Sequence, residues 1–197
     1  MKMTDEELQA KFLYDNGTLR NKFAIKNADE LSLIEYRGVA EREVALLQQQ
    51  PKIKSFEDLQ TINKFLFGWL YDWAGELRNY YISKAGFDFL EYGRFDNAIK
   101  YINDEIGGLN MKKQPTIEDY AALLNDLNYI HPFREGNGRS TKLFIQLIAL
   151  HHGQLIDYPA DNAEMIAGLN QSDGQIRGMY EPHLQLLPRE PQGREKM

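Results

Sequence analysis

Two apolar stripes at helical spacing are separated by a segment that continues neither stripe. Tyr120, Leu123, Leu124, Leu127 and Ile130 form the first stripe; Leu143, Phe144, Leu147, Ile148 and Leu150 form the second. Between them stand His131, Pro132, Phe133, Arg134, Glu135, Gly136, Asn137, Gly138, Arg139 and Ser140. Pro132 sets the chain direction just after the first stripe, and Gly136 and Gly138 permit backbone angles closed to other residues. One helix must therefore end at Ile130 and another begin near Asn137. Any fold open to this chain brings a tight loop directly onto a helix N-terminus.

The rest of the chain reads mostly as helix. Asn27-Ala28-Asp29 starts a helix that runs to about Gln50, where Pro51 ends it. Ser55 reads as an N-cap with the acid Asp58 three residues on. The stripe Leu59, Ile62, Leu66, Trp69, Leu70 and Trp73 extends that helix to near Gly75, with Phe65, Trp69 and Trp73 in the core. Arg78 to Glu91 differs: Tyr80, Tyr81, Ile82, Phe87 and Phe89 surround Ala85-Gly86 and predict a short hairpin or flap. Helices follow over Asp96–Gly107, after Pro115-Thr116, over Asn137–Gly153, and over the short stretches Asn162–Asn170 and Arg177–Leu187. Tyr14–Lys26 reads as irregular, with a turn at Asn16-Gly17. A mostly α domain with one small β element is expected.

Composition narrows the function classes. A chain of 197 residues with 43% hydrophobic and 26% charged content is long enough for one domain with a core. No apolar run approaches the roughly 20 residues that span a bilayer. The charged start, Met1 to Lys11, predicts no signal peptide. The absence of cysteine excludes disulfides and thiolate metal sites and fits a cytoplasmic location. A net charge of -6 argues against direct nucleic-acid binding. His151-His152 reads as a helix C-terminal pair rather than a metal site, and His183 has no evident partner.

The loop carries the chemistry. A helix N-terminus offers unpaired N–H groups and a partial positive charge, and so receives anions. Consecutive amides around Gly136 and Gly138 can form a nest for a phosphate. Arg139 adds a planar fork, and Lys142, three residues on, adds a second cation on about the same face. Glu135 is a hard ligand suited to Mg²⁺ shared with phosphate oxygens. His131 titrates near neutrality and can accept a proton. Phe133 is expected to plug into the core. Singly, each residue has an ordinary reading: a turn, a C-cap, helix-end charge or solvated surface. Their joint occurrence in this order favours the phosphate site.

His131 to Lys142 resembles the signature of Fic-domain proteins, HPFx[D/E]GNGRxxR; every defined position matches except the last, where Lys142 replaces arginine. The resemblance extends to Tyr14–Ile25, to Ile62–Arg78 with Tyr71-Asp72-Trp73-Ala74-Gly75, and to Ile82-Ser83-Lys84 followed by Phe89. It implies a Fic fold: a bundle of about six to eight helices with a short β-hairpin flap next to the active site. The domain would span 1–187, with the flap at about 79–92, the motif loop at 131–142 and a disordered tail at 188–197.

The implied activity is AMP transfer from ATP to a Ser, Thr or Tyr hydroxyl of a target protein. His131 would be the base and Glu135 the Mg²⁺ ligand. Gly136, Asn137, Gly138 and Arg139 would hold phosphates, Lys142 would face the γ-phosphate, and Lys84, Phe133 and Arg134 would join the nucleotide site. The flap would clamp the target by strand addition. Transfer of UMP, phosphocholine or phosphate, and a nucleotide-binding module without turnover, are the alternatives. The family's inhibitory pattern [S/T]xxxE[G/N] is missing; Ser172-Asp173-Gly174-Gln175-Ile176 lacks the glutamate. The chain thus resembles small bacterial Fic toxins restrained by a separate antitoxin, some of which modify the B subunits of gyrase and topoisomerase IV.

Overall fold

The computed structural model describes residues 4–84, 86–158 and 185–188. In chain order the elements are α1 (Asp5–Phe12), α2 (Ala28–Gln49), α3 (Phe56–Phe67), β1 (Ser83–Lys84), β2 (Phe87–Asp88), a 3-10 turn (Tyr92–Arg94), α4 (Phe95–Met111), α5 (Ile117–Ile130), α6 (Asn137–His151), β3 (Gln154–Asp157) and β4 (Gln185–Pro188). β1 pairs with β2, and β3 with β4, both antiparallel.

The most enclosed helix is α6, where Ser140, Thr141, Leu143, Phe144, Ile145 and the run Leu147–Leu150 are all buried. A helix apolar on nearly every side belongs in a core. It packs against α3, α5 and β3; α4 lies on α5, and α2 on α3. Burying a side chain such as Phe144 or Leu147, both fully enclosed, stabilises the fold by about 1.5–3 kcal/mol each. This packing holds the start of α6, and hence the motif loop, rigidly against α3.

Local signals set the helix ends as expected. The Asn27 side chain accepts from the Glu30 amide at 3.0 Å, and α2 closes at Gln50 in the left-handed region (φ 46°) before Pro51. The Asp58 carboxylate accepts from the amides of Lys54 and Ser55 at 2.6 and 3.0 Å, opening α3. Thr116 and Asp119 form the capping box of α5.

Several expectations need correction. The helix predicted to reach Gly75 ends at Phe67. The Gly68 amide still bonds to the Lys64 carbonyl, but Leu70, Tyr71 and Ala74 then turn through separate loop bonds. Leu70 and Trp73 are nonetheless buried, so the apolar stripe reported burial, not helix. Phe65 is 41% exposed rather than core, because α3 packs through the opposite face. α1 was unforeseen, although Thr4 and Glu7 form a capping box for it. The β content is two hairpin-like pairs rather than one: β3 is only four residues long and finds its partner about thirty residues away, beyond local pattern. Gln185–Leu187, expected as the end of a helix, lies in β4. The rest of that prediction, the Asn162–Asn170 helix, His183 and residues 189–197 lie outside the described residues.

Candidate active site

α5 ends where the sequence required. His131 is its C-cap in the left-handed region (φ 44°, ψ 62°), with its amide on the Leu127 carbonyl at 3.2 Å. The turn reverses the chain within six residues and starts α6. Phe133 is buried (1% exposed) and anchors the loop as expected. Its amide donates to Asn137 Oδ1 at 2.8 Å, and Asn137 Nδ2 donates back to its carbonyl at 2.9 Å. Both residues shape the loop, Phe133 through its burial and Asn137 through its bonds to the Phe133 backbone.

Gly136 precedes α6 with φ 77°. A Cβ there would meet the Phe67 ring at 2.2 Å, so the position requires glycine on both conformational and steric grounds. The first intrahelical bond of α6 runs from Ser140 N–H to the Gly136 carbonyl at 2.9 Å. The amides of residues 137–139 consequently point out of the helix end. Gly138 is exposed, and a Cβ there would stand in open space, where an anion could approach those amides.

Asn63 of α3 supports the loop from below. Fully buried, it donates to the Glu135 carbonyl (3.1 Å) and Ser140 Oγ (3.0 Å) and accepts from the Gly75 amide (2.8 Å). Asn63 was not foreseen; it sits mid-helix with no sequence cue to its distant partners.

The charged residues divide into two groups. Arg139 Nη2 lies 2.5 Å from Glu35 Oε1 and 3.7 Å from Glu135 Oε1, with its guanidinium 4.6 Å over the Phe67 ring. Glu35, largely buried on α2, also accepts from the Tyr71 hydroxyl; burial, and then this bond, push the Tyr71 phenol well up. Arg139 and Lys142 share a cavity of about 470 Å³ between α2 and α6 with Glu43, Gln146 and Tyr158. Burial lowers the Lys142 ammonium, with Glu43 opposing; burial raises the Glu43 carboxyl, with Arg139 and Lys142 opposing. Glu35 and Glu43 were missed, because an acid on a long charged helix looks like solvated surface. Arg134 lies apart from this group: its guanidinium stacks 5.5 Å over Phe12, in a pocket shared with Trp73, Glu76 and Tyr80. Lys84 lies exposed on β1 of the flap.

The flap covers His131. Phe89 stacks on the imidazole with centroids 3.8 Å apart and planes 17° apart. Burial pushes the His131 pKa down to about 4; the Asn128 carbonyl favours the proton and opposes this, while Arg78 and Lys84 add to the depression. His131 Nδ1 is buried near that carbonyl without reaching hydrogen-bond geometry. Of the flap aromatics, Tyr80 is buried, Tyr81 is half exposed with its hydroxyl on Glu91, and Phe87 packs edge-on against Phe89 and Tyr129.

Glu135 turns one oxygen to the Gly136 amide at 2.9 Å. Among the described residues, no group of three or more His, Cys, Asp or Glu could hold a metal ion. A single carboxylate at a helix start fits Mg²⁺ where phosphate oxygens and water complete the shell.

Fold and site together define a class: a helical scaffold whose loop ends one helix at a histidine and opens the next at a glycine, under a β flap. Residues 54–149 match the Fic/DOC family. It is 28% identical over 158 residues to the probable protein adenylyltransferase Fic of Escherichia coli K12, covering 78% of each chain. It is 29% identical over 151 residues to the protein adenylyltransferase VbhT of Bartonella schoenbuchensis, covering 73% of this chain and 31% of that one. Among solved structures, BepC of Bartonella tribocorum with bound AMPPNP superposes with a TM-score of 0.77 at 20% identity, covering 92% of this chain and 98% of the other. The fold is therefore the Fic fold, mostly helical with a hairpin flap. No helix among the described residues is long and apolar enough to cross a membrane.

Proposed function

We propose that this chain is a protein adenylyltransferase that moves AMP from ATP to a hydroxyl side chain of a target protein. The observation that carries the reading is the single loop that ends α5 at His131 and opens α6 at Gly136, putting a proton acceptor beside an anion-receiving helix end. The curated relatives named as adenylyltransferases support it.

The α6 amides and Arg139 bind the phosphates, and Lys142 faces the γ-phosphate. Glu135 would hold Mg²⁺, which when bound offsets phosphate charge. With Nδ1 buried, Nε2 is the nitrogen left to accept the target's proton. The target oxygen bonds to the α-phosphorus, the bond to pyrophosphate breaks, and the hydroxyl proton goes to His131. Positioning and charge neutralisation dominate such a reaction. The flap clamps the target backbone. The chain acts in the cytoplasm and is restrained by a separate inhibitor protein, with gyrase or topoisomerase IV B subunits as candidate targets.

Incubation with Mg²⁺, cell lysate and ATP labelled at either the α- or γ-phosphate tests this. Label from the α-position on a protein band is expected, and mass spectrometry of the band names the target. Label from the γ-position alone would make it a kinase, and no label would favour a binding module.

Lys142 supplies a second test. Lysine keeps the charge of the motif arginine but loses its two-pronged geometry. Lys142→Arg should raise transfer by about fivefold, the worth of one hydrogen bond of about 1 kcal/mol. A rate unchanged or lower in a steady-state assay would remove Lys142 from the γ-phosphate site.

A further inference from the structure

Arg78 is a buried guanidinium, 4% exposed, whose side-chain hydrogen bonds among the described residues all go to backbone carbonyls rather than to a carboxylate. Nε donates to the His131 carbonyl at 2.8 Å and Nη2 to the Ile130 carbonyl at 3.0 Å. Nη1 reaches the Tyr80 carbonyl at 2.6 Å, and Nη2 also reaches the Leu90 carbonyl at 2.5 Å. The Arg78 amide adds a bond to the Pro132 carbonyl at 2.8 Å. The Phe95 ring lies 4.9 Å beneath the guanidinium.

These acceptors fall in two groups. Ile130, His131 and Pro132 are the last carbonyls of α5 and its cap, which a cation at a helix C-terminus stabilises. Tyr80 and Leu90 are the two stems of the flap. One planar, five-donor group therefore bridges the backbone of the base and both ends of the hairpin that covers it. Lysine, with a point charge and a tetrahedral head, cannot span four carbonyls spread in this way.

We propose that Arg78 is a positioning residue that sets the register of the flap relative to His131, and so aligns a clamped target hydroxyl with the base. The inference rests on the adenylyltransferase reading for its catalytic consequence, but not for its structural one. The ATP phosphates would meet α6 and Arg139, none of which Arg78 contacts. Nucleotide binding and target modification should thus separate. The burial that lowers the Arg78 pKa to about 10 leaves it cationic at neutral pH, and its charge also disfavours protonation of His131.

The experiment compares the full chain with Arg78→Lys by three measurements: binding of a fluorescent ATP analogue, hydrogen exchange of the Phe89 and Leu90 amides, and transfer of α-label to lysate protein. Those amides bond to Ile82 and Tyr129, so they report the flap directly. Loss of one to two hydrogen bonds predicts flap exchange about tenfold faster and labelling about tenfold lower, with nucleotide affinity within about twofold. Unchanged flap exchange overturns the proposal, and so does an equal loss of nucleotide affinity, which would mark a general structural role. Should Arg78→Lys fail to fold, Phe95→Leu removes the ring under the guanidinium while keeping every donor; faster flap exchange then supports the proposal, and unchanged exchange overturns it. If the parent chain labels nothing, the adenylyltransferase reading fails while the exchange measurement still decides the role of Arg78.

Discussion

His131→Asn should lower AMP transfer by about 10²–10⁴-fold, the usual worth of a positioned general base, while leaving ATP binding almost intact. Asparagine is the better probe than alanine. Position 131 is left-handed (φ 44°), which asparagine tolerates and alanine resists. The proposed nucleotide contacts belong to α6, so binding measured by calorimetry should hold. A variant retaining more than about a tenth of the parent rate would exclude proton removal by His131 as important.

The same residue fixes a pH signature. Its folded pKa, about 4, lies below the ordinary 6.5 because burial under Phe89 and the core disfavours the charged ring. The unfolded chain then binds the extra proton first. The stability associated with keeping this ring neutral is whole above pH 6.5 and is lost as pH falls toward 4. Thermal melts from pH 7 to pH 4 should show a steeper acid loss for the parent than for His131→Asn. The acid limb of kcat/KM should likewise lie well below 6.5, since the base stays neutral there.

Gly136→Ala is the second large effect, and it acts on the scaffold. Left-handed backbone costs an L-residue about 1–2 kcal/mol, and overpacking costs about 1–3 kcal/mol more. The new Cβ would sit 2.2 Å from the Phe67 ring. Together they predict a loss of about 2–5 kcal/mol in denaturant unfolding, with ATP binding abolished because the loop cannot close onto α6. Gly138→Ala provides the contrast. Its Cβ meets nothing within 4 Å and lies in the helix, so stability should hold or rise by up to about 1 kcal/mol. ATP affinity should nevertheless fall, because the methyl group would stand at the mouth of the proposed anion site. Equal stability of the two variants would remove the steric account of Gly136.

How far the sequence could be read depends on the range of each interaction. Helix ends at Asn27, Ser55 and Thr116 were legible because caps act within four residues. The flap was legible from aromatic and β-branched residues around Ala85-Gly86. The length of α3 was not, because the apolar spacing from Leu59 to Trp73 records burial and continues past the point where backbone bonding changes at Gly68. Phe133 was legible as a core anchor, whereas the bonds by which the Asn137 amide closes the loop on the Phe133 backbone were not.

The sequence by itself determined that a helix must stop at Ile130, that another must begin at Asn137, and that a base, a carboxylate, glycines and cations meet between them. These follow from local sterics and periodicity, which neighbouring residues fully specify. Only the tertiary structure decided what surrounds that loop: Asn63 beneath it, Glu35 and Tyr71 on Arg139, Glu43 across the cavity from Lys142, Phe89 over His131, and Arg78 tying the flap to the base. Each of those contacts joins residues far apart in the chain, and their strength depends on burial and distance, which no local pattern carries.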